Sequence, residues 1–283
     1  MDFNELINTY YKTDKGYLYL VDLIKLKFPA LKINEEVLKT LKIDIMGKEE
    51  FKKTGFTGIY VASGNTIRIF LNKDLNGNKI VNYDLKDVEI INTFLHELIH
   101  ALTSKIDLDG NCFEGLNIRK VNGENSYLLP FNEGITQMIA DDIMEYESDA
   151  YPFYVNFARQ IANVIGKDNL LYAYSSNNPN VLVDEIGKYS KEFNTFKFIE
   201  KIYYFDLICR GYMQDGGYNL GSSIQQDLIN LHKNTNKEIN RDLLFDVNKI
   251  KKYMEYIPFS YSEIDDLGFG NIEEIIGMGL GVR

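Results

Sequence analysis

The stretch "NTFLHELIHALTSK", residues 92–105, holds two of the chain's three histidines. His96 and His100 are four apart, with Glu97 beside the first. Around them Val88, Ile91, Leu95, Leu98, Ile99, Leu102 and Ile106 recur at three- and four-residue steps. That is the period of a helix with one apolar stripe. Asp84 is placed to cap its start, and Asp87 adds a second acid where the helix dipole favours one. Helical residues i and i+4 are neighbours on one face, so both imidazoles can reach one ion. Glu97, about 100° further round the helix, is better placed to reach a water on that ion than to complete the pair. The competing reading is a buried helix with two capped histidines. Against it, the apolar stripe predicts Leu98 and Ile99 on the core side and the His/Glu positions off it.

Such a metal centre needs a third protein ligand and an open position. A His-x-x-Gly-x-x-His continuation would supply a histidine, but Ala101-Leu102-Thr103 follows His100, and the remaining histidine, His232, is far downstream. A carboxylate is therefore expected, from Asp107, Asp109, Glu114, Glu124 or Glu133. Glu133 is the best of these. It lies in "PFNEGITQMIADDI", near the start of a second predicted helix with Ile135, Met138, Ile139 and Ile143 as its stripe. A ligand on a rigid facing helix is better held than one in a Gly-rich loop. Asn132, Thr136 and Gln137 are candidates to orient the ligands by hydrogen bonds.

"HELIH" followed by "NEGIT" resembles the zinc metallopeptidases called gluzincins, in which the next helix supplies a glutamate. The resemblance implies His96, His100 and Glu133 as ligands of one zinc ion per chain and Glu97 as general base. It also implies a sheet-edge strand that binds substrate as an added strand, for which residues 66–72 are the candidate. Residues 84–190 look like uncharacterised HExxH proteins of low-GC bacteria. "HELIHA", with the long gap to Glu133, is similar to the string in clostridial neurotoxin light chains. Gluzincins usually add a Tyr, His or Arg to steady the oxyanion. Arg210, Tyr212, Tyr218 and His232 are the candidates, with Tyr218 favoured by its flanking glycines.

Outward from the motif, residues 2–41 read as short helices. "TGIYVA" and "TIRIFLN" flank Ser63-Gly64-Asn65 and read as a β-hairpin. Residues 107–125 read as a loop rich in Gly, Asn and Asp. Pro130 suits the first turn of the second helix. Further helices are expected near 153–165, 168–175, 180–190, 196–213, 220–233 and 241–256, with a short one in the tail. The expected class is α+β: a small N-terminal mixed α/β part with a hairpin, a central HExxH helix and a mostly helical C-terminal part. The division expected is an N-terminal subdomain over 1–106, ending in the motif helix, and a helical subdomain over 107–283 carrying the third ligand. The motif helix would floor a cleft between them.

Composition sets the outer bounds. A chain of 283 residues can bury a sizeable core. A formal charge of −10 and a pI near 4.9 argue against a phosphate-tracking surface, so no nucleic-acid partner is expected. Cys112 and Cys209 read as reduced thiols rather than a disulfide framework. "GYLYLVDLIKLKF" is too short and too charged to span a bilayer. A soluble, cytoplasmic protein is expected, with non-classical export left open. The expected activity is zinc-dependent hydrolysis of a peptide or protein substrate. The alternatives are a non-catalytic zinc-binding or regulatory protein on a peptidase-like scaffold, and a toxin-like effector peptidase with one host-protein substrate.

Overall fold

A computed structural model describes residues 16–47, 49–50, 57–71, 87–119, 128–189, 194–209 and 217–235. The first helix, α1 (Leu18–Lys27), buries Leu20, Val21 and Ile24 and leaves its lysines outward. A short 3-10 helix, Glu35–Lys39, follows, its start capped by the Asn34 side chain on the Glu36 N–H. The chain then extends into β1 (Lys42–Met46), where the sequence pattern suggested helix up to residue 41 and gave no strand. β2 (Gly58–Val61) and β3 (Thr66–Phe70) form the expected hairpin, with Asn65 in the left-handed region at φ 45°. Asn tolerates that conformation better than most residues.

The three strands order as β1-β3-β2, β1 parallel and β2 antiparallel to β3. β3 is therefore internal, paired on both sides. This overturns residues 66–72 as the edge strand: among the described residues, β1 and β2 are the edges of this sheet, and β2 is the edge strand that packs on the motif helix.

That helix, α2 (Asp87–Leu102), ends before Ile106. Leu95, Leu98, Ile99 and Leu102 are fully buried, as the stripe predicts, but His96, Glu97 and His100, expected off the core side, are buried as well. Ile106 instead lies in β4 (Ser104–Ile106) and is 54% exposed. The Asp84 cap lies outside the described residues. β4, β5 (Cys112–Glu114) and β6 (Asn117–Arg119) make a small antiparallel meander. The Gly/Asn-rich composition suggested only a loop there. The strands are three residues each, too short for alternation to show in the sequence.

α3 (Leu129–Met144) begins with Pro130 in its first turn, where the missing N–H has no intrahelical partner to lose. Five helices follow: α4 (Pro152–Ile165), α5 (Lys167–Ser175), α6 (Pro179–Gly187), α7 (Thr195–Cys209) and α8 (Gly217–Asn234). They match the expected segments within a few residues at each described end. The helix expected at 241–256 and the tail lie outside the described residues. The class is α+β. One hydrophobic cluster runs from Tyr17 through α2, α3 and α4 to Leu231. No helix among the described residues is long and apolar enough to cross a membrane.

Candidate metal centre

Both ligand-bearing helices are buried, and each carries a row of polar residues at i, i+4 spacing. On α2 the row is Asn92, His96, His100. On α3 it is Glu133, Gln137, Asp141. Hydrogen bonds pair Asn92 with Asp141, His96 with Gln137 and Glu133, and bring His100 to Glu133. The helices therefore run antiparallel with their polar rows facing. Two buried polar rows are tolerable only because they satisfy one another.

At one end of this seam His96 Nε2 lies 3.0 Å from His100 Nε2 and 3.2 Å from a Glu133 oxygen. His100 Nε2 is 3.4 Å from the same oxygen. His96, His100 and Glu133 thus form a group able to hold a metal ion. The spacing suits one small ion: with bonds near 2.0–2.1 Å, the edges of a tetrahedron are about 3.3 Å.

The proton positions support the same conclusion. Gln137 donates both hydrogens of Nε2, to Asn92 Oδ1 at 2.6 Å and Asp141 Oδ1 at 2.7 Å. Asn92 also donates to Asp141, at 3.0 Å. Gln137 Oε1 is then an acceptor, 2.9 Å from His96 Nδ1, which must carry the proton. With the Nδ1 proton held by Gln137, Nε2 is the ring nitrogen turned towards the Glu133 carboxylate and open to a metal. Two lone pairs 3.2 Å apart repel unless a proton or a cation lies between them. On the other imidazole, Asn132 accepts from the Leu116 N–H at 2.9 Å and presents its amide nitrogen to His100 Nδ1 at 3.5 Å. That longer contact locates the ring without fixing its tautomer.

Glu97 is 8% exposed. Its carboxylate accepts from the Tyr60 backbone N–H of β2. The register of the hairpin explains why. The Thr57 carbonyl accepts from Phe70, so residues of that parity bond to β3, and Gly58 and Tyr60 direct their backbone groups to the free edge. Gly58 permits the approach: a Cβ there would lie 2.5 Å from Thr93 Cγ2 and 3.1 Å from Glu97 Oε1. Burial pushes Glu97 up to about 7. Its acidic neighbours Glu133 and Glu114 add to this, while His96 and the Tyr60 N–H oppose it. Glu133 goes the other way. Burial raises it, but the His100 and His96 imidazoles outweigh that and hold it well below the ordinary carboxylate range.

The remaining expectations divide. Gln137 orients His96 as proposed. Thr136 instead bonds its own helix at the Asn132 carbonyl and the buried Tyr174 hydroxyl, at 2.7 Å in each case. Of the other third-ligand candidates, Asp107 is occupied in the β4–β5 loop by the Asp109 and Asn111 N–H groups. Glu114 is buried on β5, with Asn117 3.4 Å away. Asp109 is exposed on that loop, and Glu124 lies outside the described residues. Among the oxyanion candidates, His232 is bound to the Leu228 carbonyl and to Asn163, in the α4–α8 contact. Arg210 and Tyr212 lie outside the described residues, and Tyr218 falls in the first turn of α8. Cys112 is a thiol outside any disulfide, its Sγ 3.9 Å from a Glu114 oxygen.

Asn92 and Asp141 were missed by the sequence reading. Their signal was there, as each continues a ligand row by one four-residue step. Tyr151 was also missed. It carries no motif, yet its ring stacks on His96 with centroids 5.6 Å apart and planes 20° apart. A depression of about 520 Å³ lies elsewhere, at the C-terminal end of α3. Arg159 and Lys167 both pair with Asp142 there. Comparison with protein-family models, with curated proteins and with solved structures gives no match.

Proposed function

We propose that the protein is a zinc-dependent hydrolase of peptide bonds, with His96, His100 and Glu133 holding one zinc ion and Glu97 as general base. The observation that carries this reading is the pairing of a three-ligand cluster with a separate buried carboxylate, next to it in sequence and anchored on a sheet edge. A ligand set alone would suit a structural metal. The extra carboxylate gives the site something to do with a proton.

When bound, zinc supplies a Lewis acid and a water of pKa near 7. Glu97 would accept the proton of a water whose oxygen adds to the carbonyl carbon. As the C–N bond breaks, the same carboxyl returns the proton to the departing amine nitrogen. The Tyr60 N–H keeps Glu97 aimed during both transfers. Gln137 holds His96 in the tautomer that leaves Nε2 free for the metal. The edge of β2, with the backbone groups of Gly58, is where an extended peptide can add as a strand.

The test begins with metal analysis of protein purified without added metal. About one zinc per chain is expected in the wild type and in Glu97→Gln, and none in Glu133→Ala. Cleavage of a peptide library is expected to fall by about 10²–10⁴-fold in Glu97→Gln. A protein with no affinity for zinc, or a Glu97→Gln variant as active as wild type, would sink the proposal. Zinc binding without cleavage would mark a regulatory metal protein. Cleavage of one defined protein and little else would mark an effector peptidase.

A further inference from the structure

Tyr151 is strained, partly exposed and in contact with a ligand. It sits at the N-cap of α4 with φ 51° and ψ 42°, the left-handed region. A bulky aromatic residue is an outlier there, and such strain persists only where the surroundings impose it. The ring is held between two others, stacking on His96 at 5.6 Å and on Tyr154 at 5.8 Å, each with planes 20° apart. Tyr154 is itself fixed. Its hydroxyl donates to the buried Asp206, and its backbone packs on Gly134, the neighbour of Glu133.

Exposure then decides what the ring is for. His96, His100, Glu97 and Tyr60 are 4–8% exposed, and the Glu133 side chain is 12% exposed. Gln137 is 2% exposed and Tyr174 fully buried. Tyr151, at 37%, is the most exposed of these residues. His96 is covered elsewhere: Gln137 is at Nδ1, and the His100 ring meets it edge-on at 4.7 Å. The Tyr151 ring is thus an exposed group in direct contact with a ligand imidazole.

Resting on the metal-site reading above, we infer that Tyr151 is the access residue of the centre, an aromatic cover that an incoming metal ion or substrate must displace. The strained backbone holds the ring over His96. Residues that tolerate the left-handed region lift the cover without losing the turn. Because the cover acts on passage rather than on the bound state, removing it speeds zinc entry and exit alike and leaves the affinity unchanged.

The experiment measures three quantities for wild type, Tyr151→Gly, Tyr151→Asn and Tyr151→Phe: zinc uptake rate, zinc removal rate by 1,10-phenanthroline, and equilibrium zinc affinity by chelator competition. Both rates are expected to rise at least tenfold in the Gly and Asn variants, with affinity within about twofold of wild type. The Phe variant, which keeps the ring, should match wild type. Thermal melting of the metal-free Gly and Asn variants is expected at or above the wild-type temperature, since strain is relieved. Three results would overturn the inference: unchanged rates in folded Gly and Asn variants; faster release with unchanged uptake, which would make the ring a prop for His96; or a lower melting temperature with normal rates, which would make it packing. Absence of zinc binding in the wild type would instead overturn the metal-site reading itself, so the two failures are distinct.

Discussion

Glu97 shows how one residue can be costly to the fold and useful to the site. Burial holds its carboxylate up to about 7, against an ordinary 4.5. Between those values the folded, metal-free chain binds more protons than the unfolded one, so Glu97 makes stability fall as pH rises from 4.5 to 7. Above 7 the full cost is present, and below 4.5 it vanishes. Glu97→Gln keeps an acceptor for the Tyr60 N–H and carries no charge. The variant, stripped of metal, is therefore expected to be more stable than wild type at pH 8, by on the order of 3 kcal/mol at most. The difference should close as pH falls to 4.5. Urea melts of both proteins across that range check it, and a Gln variant less stable at pH 8 would contradict the assignment. His96 and Glu97 were legible from local spacing alone. Tyr151 was not, because its role comes from a stacking partner far away in the chain and from a backbone angle.

At the scale of elements, the centre depends on how closely its supports approach. Gly134 lets α4 lie against α3: a Cβ there would come within 2.2 Å of the Tyr154 carbonyl oxygen. Backbone cannot step aside as a side chain can. Gly58 meets Thr93 Cγ2, which can be removed. Both Gly→Ala changes overpack, which typically costs about 1–3 kcal/mol. Thr93→Ser is expected to recover most of the loss in Gly58→Ala. No single side-chain truncation is expected to recover Gly134→Ala, and that variant should also bind zinc more weakly, because Glu133 shifts with its helix. Denaturant titration of the single and double variants decides this, and failure of Thr93→Ser to rescue Gly58→Ala would argue against the contact. The long helices were legible because three or four turns show their period. β1 and the β4–β5–β6 meander were not. Strands of three to five residues give too few alternations, and register comes from partners elsewhere in the chain.

Across the whole molecule, the cluster ties α2 to α3 in the middle of one continuous core, so a ligand bound there stabilises the fold itself. Zinc at about a thousandfold over its dissociation constant is worth about 4 kcal/mol. The melting temperature of wild type is accordingly expected to rise with zinc and fall on chelation, while Glu133→Ala shows neither response. Scanning calorimetry with and without zinc reads both, and an equal zinc response in the variant would move the site elsewhere. The sequence by itself determined the α+β class, the motif helix with His96, Glu97 and His100 on it, and the candidacy of Glu133, because helical periodicity and i, i+4 spacing are local properties. Only the tertiary structure decided that Glu133 meets the two histidines, that Asn92, Gln137 and Asp141 complete the seam, that β3 is internal to its sheet, and that Tyr151 stacks on His96. Each of these depends on which residues far apart in the chain are brought face to face; the four-residue spacing marks Asn92, Gln137 and Asp141 as members of two rows but does not say that the rows meet.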